Sequence, residues 1–418
     1  MPKNIVICCD GTGNDFKNPD TDSNVVKLYN TLKICDQQIA YYHPGVGTMG
    51  APNVSGPMAK WWTKVMGLAF GRGLLENVGD AYRYMMNTYQ AGDNIFIFGF
   101  SRGAYTARAI ASLLHVYGLL EPGNEQLIPY ILQLYRKLTK GASAQQTTYP
   151  AEEAFKYAFS REVEVHFCGV WDTVSSYGWV NSPIDLRFNG QNPIIRTGRH
   201  AISIHEKRCC FQSNPWGESL AASADYPGQD IRQVWFVGVH SDVGGSYTES
   251  EAGLSKVTFE WMLLEAIEQG LMVDPERAEI VMGEGASPEG LPKYVGPDPK
   301  GVQHQSLTGA WWLAEVFPRT RQGRWGLPLG RWVRAIPEGA VIHATVPLSG
   351  AKVNYPAQYA TEPWVRYGCP APAAPVAPVL EVVSGLRGLP EDAVTLRAVV
   401  EKIAAAAERP TLPRLTRR

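Results

Sequence analysis

No C-x-x-C pair occurs in the sequence, so its seven cysteines spell neither a structural zinc site nor a redox dithiol. Cys8, Cys9 and Cys168 fall in apolar runs instead, where a thiol behaves as a small hydrophobe. There is no G-x-x-x-x-G-K-[ST] loop, which excludes a P-loop nucleotide site. Charge of one sign is also missing. With 39 Lys and Arg against 40 Asp and Glu, the net charge is −1, which leaves no footprint for nucleic acid and no electrostatic membrane anchor. No apolar run reaches membrane-spanning length, and Met1 leads straight into an apolar strand with no room for a signal peptide. The expectation is a chain that is cytoplasmic when synthesised. Internal repeats are absent, and nothing in the pattern calls for a metal or a cofactor.

What is present centres on residues 93–105. Ile95-Phe96-Ile97-Phe98 and Phe100 make a continuously apolar run, as a parallel strand buried on both faces requires. Gly99-Phe100-Ser101-Arg102-Gly103 follows without a polar loop, and 104–120 reads as helix. This is G-x-S-x-G between a strand and a helix, the context in which a sharp turn projects a serine hydroxyl over the carboxyl edge of a sheet. A side chain at 99 or 103 would clash with the neighbouring backbone. The first helical N–H groups then face the hydroxyl.

Along the chain, 4–9 is an apolar strand ending in Asp10-Gly11-Thr12-Gly13, 21–31 a helix, and 38–42 a third strand. Residues 51–73 combine Gly and Pro with Trp61, Trp62, Val65, Met66, Leu68 and Phe70, the composition of a packed insertion or a lid. Helices are expected over 74–89, about 125–139 and 258–269, and strands over 163–171 and 231–239. The segment 178–229 reads as irregular with a short helix near 200–206, and 271–360 as an extension over the core. Residues 370–378 are a Pro/Ala linker, and 379–418 a C-terminal helix with a basic tail. Strands alternating with helices predict an α/β-hydrolase-like fold, a mostly parallel sheet with helices on both faces. Residues 1–360 would form its catalytic domain. The ligand should sit at the carboxyl ends of the strands.

A serine hydroxyl attacks only when a base takes its proton and a carboxylate fixes that base's tautomer. Asp172 directly follows one apolar strand and His240 another, giving the chain order serine, acid, histidine. Taken singly, Asp172 could cap a turn and His240 could be a structural histidine. His304, in Gln303-His304-Gln305-Ser306, is the rival base. An oxyanion needs backbone donors, expected from the N–H of Arg102 and from Gly11, Thr12 and Gly13. Asp10 and Asp242 would orient these loops or contribute to a cation site. Asp10-Gly11-Thr12 also matches part of the D-x-D-G-T of haloacid-dehalogenase phosphatases, but Cys8 stands where their nucleophilic aspartate would be.

Four blocks together resemble a family of α/β hydrolases that includes type VI secretion phospholipase effectors. They are Cys9 to Asn14, Gly99 to Tyr105, Val170 to Val174 and Val239 to Gly245, and His304 to Trp312 is similar to a further family segment. The resemblance covers roughly residues 1–340. It implies serine-dependent ester hydrolysis, with phospholipase A activity on membranes for the effector members, and it supports Ser101 as nucleophile. The expected partners are a small-molecule or lipid ester, transient contact with a membrane surface and, for an exported toxin, an immunity protein. Export would then use a secretion system that needs no signal peptide. The competing expectation is a non-catalytic hydrolase fold used for binding.

Overall fold

A computed structural model describes residues 2–11, 19–45, 70–138, 150–174, 192–209, 211–217, 228–309, 311–316, 319–321, 324–330 and 333–365. Thr12 and Gly13, the 51–69 part of the expected insertion, the linker at 370–378 and the C-terminal helix and tail at 379–418 lie outside the described residues.

The apolar runs form strands because both of their faces can be covered. In β1 (Asn4–Cys9) every residue is buried. Ile5, Ile7 and Cys9 pack into one core cluster, and Val6 and Cys8 into the other. β3 (Asn94–Phe100) divides in the same way, with Ile95 and Ile97 on one face and Phe96, Phe98 and Phe100 on the other. The other strands of the main sheet are β2 (Gln38–His43), β4 (Val165–Trp171), β5 (Ile195–Ser203), β6 (Asp230–Phe236), β7 (Ala340–His343) and β8 (Tyr359–Glu362).

They assemble into one eight-stranded sheet in the order β2-β1-β3-β4-β5-β6-β7-β8. Every pairing in it is parallel. The first face carries α2 (Phe70–Thr88), α3 (Arg102–Tyr117) and α4 (Ile128–Leu138), through side chains such as Val78, Tyr82, Ile110 and Ile131. The second carries α1 (Asn24–Thr31), α7 (Gly253–Glu268) and α8 (Pro275–Val281), through Val25, Leu28, Phe259, Met262 and Val281. This is the α/β architecture that the sequence pattern predicts.

Three expectations differ from the structure. Residues 195–203 form a central strand rather than an irregular segment leading into a helix. A helix at Pro150–Phe159, α5, forms between the helix expected near 125–139 and the strand expected at 163–171, where the sequence pattern predicts no element. The extension adds β7 and β8 to the sheet edge instead of only covering the core. Among the described residues, no helix is long and apolar enough to cross a membrane.

The chain leaves β1 for β2 on one side and crosses back to β3 on the other. The carboxyl ends of β1 and β3 therefore flank a reversal of strand order, where open α/β sheets form their ligand crevice. Ser101 follows β3 directly, and Asp10 and Gly11 follow β1.

Candidate active site

The turn after β3 is tight enough to require glycine on both sides of the serine. A Cβ at Gly103 would lie 2.1 Å from Cys9 O, and one at Gly99 would lie 2.4 Å from Gly103 O. Between them Ser101 takes φ 59° and ψ −118°, a strained conformation for a residue with a side chain. It is held on one side by a ladder bond from its N–H to Trp171 O (3.0 Å) and on the other by the start of α3. Its hydroxyl lies 2.7 Å from His240 Nε2.

His240 opens the short helix α6 (His240–Gly244), which follows β6. Its ring sits against Phe100 and Phe211, with centroids 4.7 and 4.8 Å away. Nδ1 lies 2.6 Å from Asp172 Oδ2. Asp172 follows β4 with φ 40°, again a strained turn, and is 0% exposed. Its carboxylate also accepts the N–H of Ser203 (2.9 Å) and is gripped by the Arg334 guanidinium.

Burial alone would raise the pKa of Asp172. The positive charge of Arg334 and the hydrogen bond from His240 overcome it and hold the carboxyl well below the usual carboxylate range. For His240, burial pushes the imidazolium below its ordinary range, and the contact with Asp172 recovers only part of the shift. At neutral pH the site therefore holds a carboxylate and a neutral imidazole. With Asp172 ionised, Nδ1 carries the proton and Nε2 accepts the serine hydroxyl.

A second layer fixes the backbone around the histidine. Glu206 accepts the His240 N–H (3.1 Å) and the Ser306 hydroxyl (2.7 Å). Burial opposes its ionisation, but the hydrogen bonds and charge of Arg208 bring its carboxyl down to about 2. Asp242 accepts the N–H groups of Val239 (2.9 Å) and His304 (3.1 Å), which ties the His304 loop to α6. His304 itself is committed elsewhere. Its Nδ1 lies 2.6 Å from Asp242 Oδ1, its Nε2 3.3 Å from Glu251 Oε2, and its ring stacks on Tyr247. Of the two histidines, His240 is the one in contact with Ser101.

Asp10 accepts the hydroxyls of Ser23 (2.8 Å) and Tyr42 (2.7 Å) and the Gly11 N–H (2.6 Å). It orients the loop after β1 from within. Gly11 does lie beside the serine, since a Cβ there would be 3.5 Å from Ser101 Cβ. Its N–H, however, points back to Asp10, so the Gly11 donor expected from the sequence is engaged in this structure. The remaining candidates in that loop, Thr12 and Gly13, are outside the described residues. Arg102 is the first residue of α3, where the helix itself supplies no acceptor for the N–H. Ser203, Glu206, Phe211 and Arg334 were not legible as site residues, because none stands in a motif and Arg334 meets Asp172 from 162 residues away.

The family model described as T6SS, phospholipase effector Tle1-like, catalytic domain matches residues 3–265 of this chain, more than half of it. The chain belongs to this family. Its Tle1-like domain is thus a catalytic domain of the phospholipase-effector type, a class whose chemistry is ester hydrolysis. A curated relative, the uncharacterized protein YEL023C of Saccharomyces cerevisiae, is 34% identical over 232 residues. That match covers 51% of this chain and 33% of the yeast protein, so the chain spans about a third of that relative's length. Among solved structures, an uncharacterized protein from Pseudomonas aeruginosa aligns with a TM-score of 0.37 and 20% identity, over 66% of this chain and 47% of that one. The Tle1 effector bound to the VgrG spike of the type 6 secretion system aligns with a TM-score of 0.33 and 18% identity, over 61% of this chain and 53% of that one.

Proposed function

We propose that the Tle1-like domain cleaves carboxylic esters of membrane phospholipids through a covalent acyl-enzyme on Ser101. One observation carries the reading: the two ring nitrogens of His240 meet the Ser101 hydroxyl at 2.7 Å and the Asp172 carboxylate at 2.6 Å. As Ser101 Oγ bonds to the acyl carbon, its proton passes to Nε2, and Asp172 stabilises the imidazolium. The carbonyl oxygen becomes an oxyanion, held by the Arg102 N–H and a second donor from the loop after β1. Collapse of the tetrahedral intermediate breaks the ester C–O bond, and the lysophospholipid oxygen leaves with the proton from Nε2. Water then gives a proton to Nε2, attacks the acyl carbon, and frees the fatty acid and the serine.

The proposed substrate class rests on the family and on the surface beside the site. Trp311 packs on Phe211, which packs on His240. The next residue, Trp312, is exposed, and so are Val316, Leu327, Leu329 and Val333. A Cβ at Gly330 would lie 3.1 Å from the Trp312 ring, so the chain just after Leu329 comes up to that side chain. Such a surface would seat on a bilayer with the serine close by.

The test compares fatty-acid release from phosphatidylglycerol–phosphatidylethanolamine vesicles with turnover of the soluble ester p-nitrophenyl butyrate. The double variant Trp312→Ser/Leu329→Ser should lose on the order of tenfold or more on vesicles, since burying each such side chain is worth about 1.5–3 kcal/mol and 1.4 kcal/mol is tenfold. Its turnover of the soluble ester should stay at the parent level. Hydrolysis of the soluble ester with intact phospholipid would make the protein a soluble esterase. Inertness toward both would favour the non-catalytic binding module.

A further inference from the structure

Asp172 has a partner that the usual serine–histidine–carboxylate arrangement does not need. Arg334 lies beyond the 3–265 family match, on the approach to β7, and its side chain is 6% exposed. One terminal nitrogen reaches Asp172 Oδ1, Ser203 Oγ (2.7 Å) and Ser203 O (3.0 Å). The other reaches Asp172 Oδ2 (3.1 Å) and Phe211 O (2.6 Å). The fork of the guanidinium thus spans both carboxylate oxygens and pins them to the end of β5 and to the segment that carries Phe211.

We propose that Arg334 is the positioning residue for the acid of the site, holding the Asp172 carboxylate in register with His240 and setting the pH at which the pair takes up a proton. The inference rests on the serine mechanism proposed above.

A carboxylate removed from water must be neutralised by a partner. A resting, neutral His240 cannot do this, and Arg334 supplies the cation. The strained backbone of Asp172 gives its side chain little freedom to find His240 unaided, and a bidentate fork fixes orientation as well as charge. The charge acts on the histidine too. A fixed cation across the carboxylate opposes a second positive charge on the imidazole, so the pair binds a proton less readily than an isolated Asp–His couple.

Other ionisable groups face the pair. Glu206 and Arg208, bonded to one another, flank the His240 backbone. His200 lies beside Asp172, where burial and the charge of Arg108 push it down to about 3 and keep it neutral. None of these grips the Asp172 carboxylate as Arg334 does, and although Arg334 adds to the charge that lowers His200, burial is the first cause that keeps that imidazole neutral. Removing the cation must therefore raise the proton affinity of the His240–Asp172 pair. The acidic limb of kcat/KM moves to higher pH.

The experiment measures kcat/KM for p-nitrophenyl butyrate against pH, with Tm, for the full chain and for Arg334→Gln and Arg334→Lys. Arg334→Gln should move the acidic limb up by on the order of one pH unit and lower the plateau kcat roughly 10- to 100-fold. Added guanidinium ion should restore part of both. Arg334→Lys keeps the charge without the fork, so its limb should stay where it is in the parent while kcat falls. An unmoved limb in folded Arg334→Gln, or a parental kcat in Arg334→Lys, would overturn the inference. Should Arg334→Gln not fold, the kcat of Arg334→Lys decides it. Ser101→Ala run alongside separates the two claims: a fully active Ser101→Ala defeats the serine mechanism, whereas an inactive one with an unmoved Arg334→Gln limb defeats only the role of Arg334.

Discussion

Ser101→Ala should lower kcat on a chromogenic ester by on the order of 10⁵- to 10⁶-fold, the loss seen when the nucleophile of a comparable triad is removed. The fold should survive. Alanine tolerates the strained turn about as well as serine does, and the hydroxyl of Ser101 hydrogen-bonds to His240. Activity and Tm measured on the same preparation separate the outcomes. A dead enzyme with a parental Tm fits the nucleophile. A dead enzyme that has also lost its melting transition would mean only that the turn cannot take alanine.

Asp172→Asn should give the second largest effect, and here activity and stability should fall together. An amide in place of the carboxylate no longer fixes Nδ1 as the protonated nitrogen of His240, which costs about 10⁴-fold in kcat. This site adds a cost of its own. The amide nitrogen brings N–H donors toward a guanidinium that also only donates, so Arg334 is left buried without its counter-charge. Breaking a buried pair in this way typically costs about 3–5 kcal/mol. Asp172→Asn should therefore melt well below Ser101→Ala, as read by thermal unfolding of both variants. Equal melting temperatures would indicate that the Arg334–Asp172 pair adds little to stability.

The parts of the site legible in the sequence were those whose signal is local. A buried strand, G-x-S-x-G and a helix lie within one short stretch, so the turn at Ser101 could be read directly. Asp172 and His240 stood out because each follows an apolar strand. Strand β5 was hidden because Arg196, Gly198, Arg199 and His200 interrupt its apolar character. Arg199 can nonetheless be buried there, since Glu265 and Asp230, distant in sequence, neutralise it. Four-residue strands at a sheet edge, β7 and β8, carry too little pattern to separate from loop. The choice between His240 and His304 was open for a similar reason. Sequence does not say which loop reaches the serine, and only the contacts of His304 with Asp242, Glu251 and Tyr247 show what occupies it.

The account stands on activation of one hydroxyl, and covalent labelling reads that most directly. A fluorophosphonate probe should form a single adduct, mapped by peptide mass to Ser101, and the adduct should vanish in His240→Ala while the protein stays folded. No adduct on the folded parent, or an adduct on a different serine, would contradict the account.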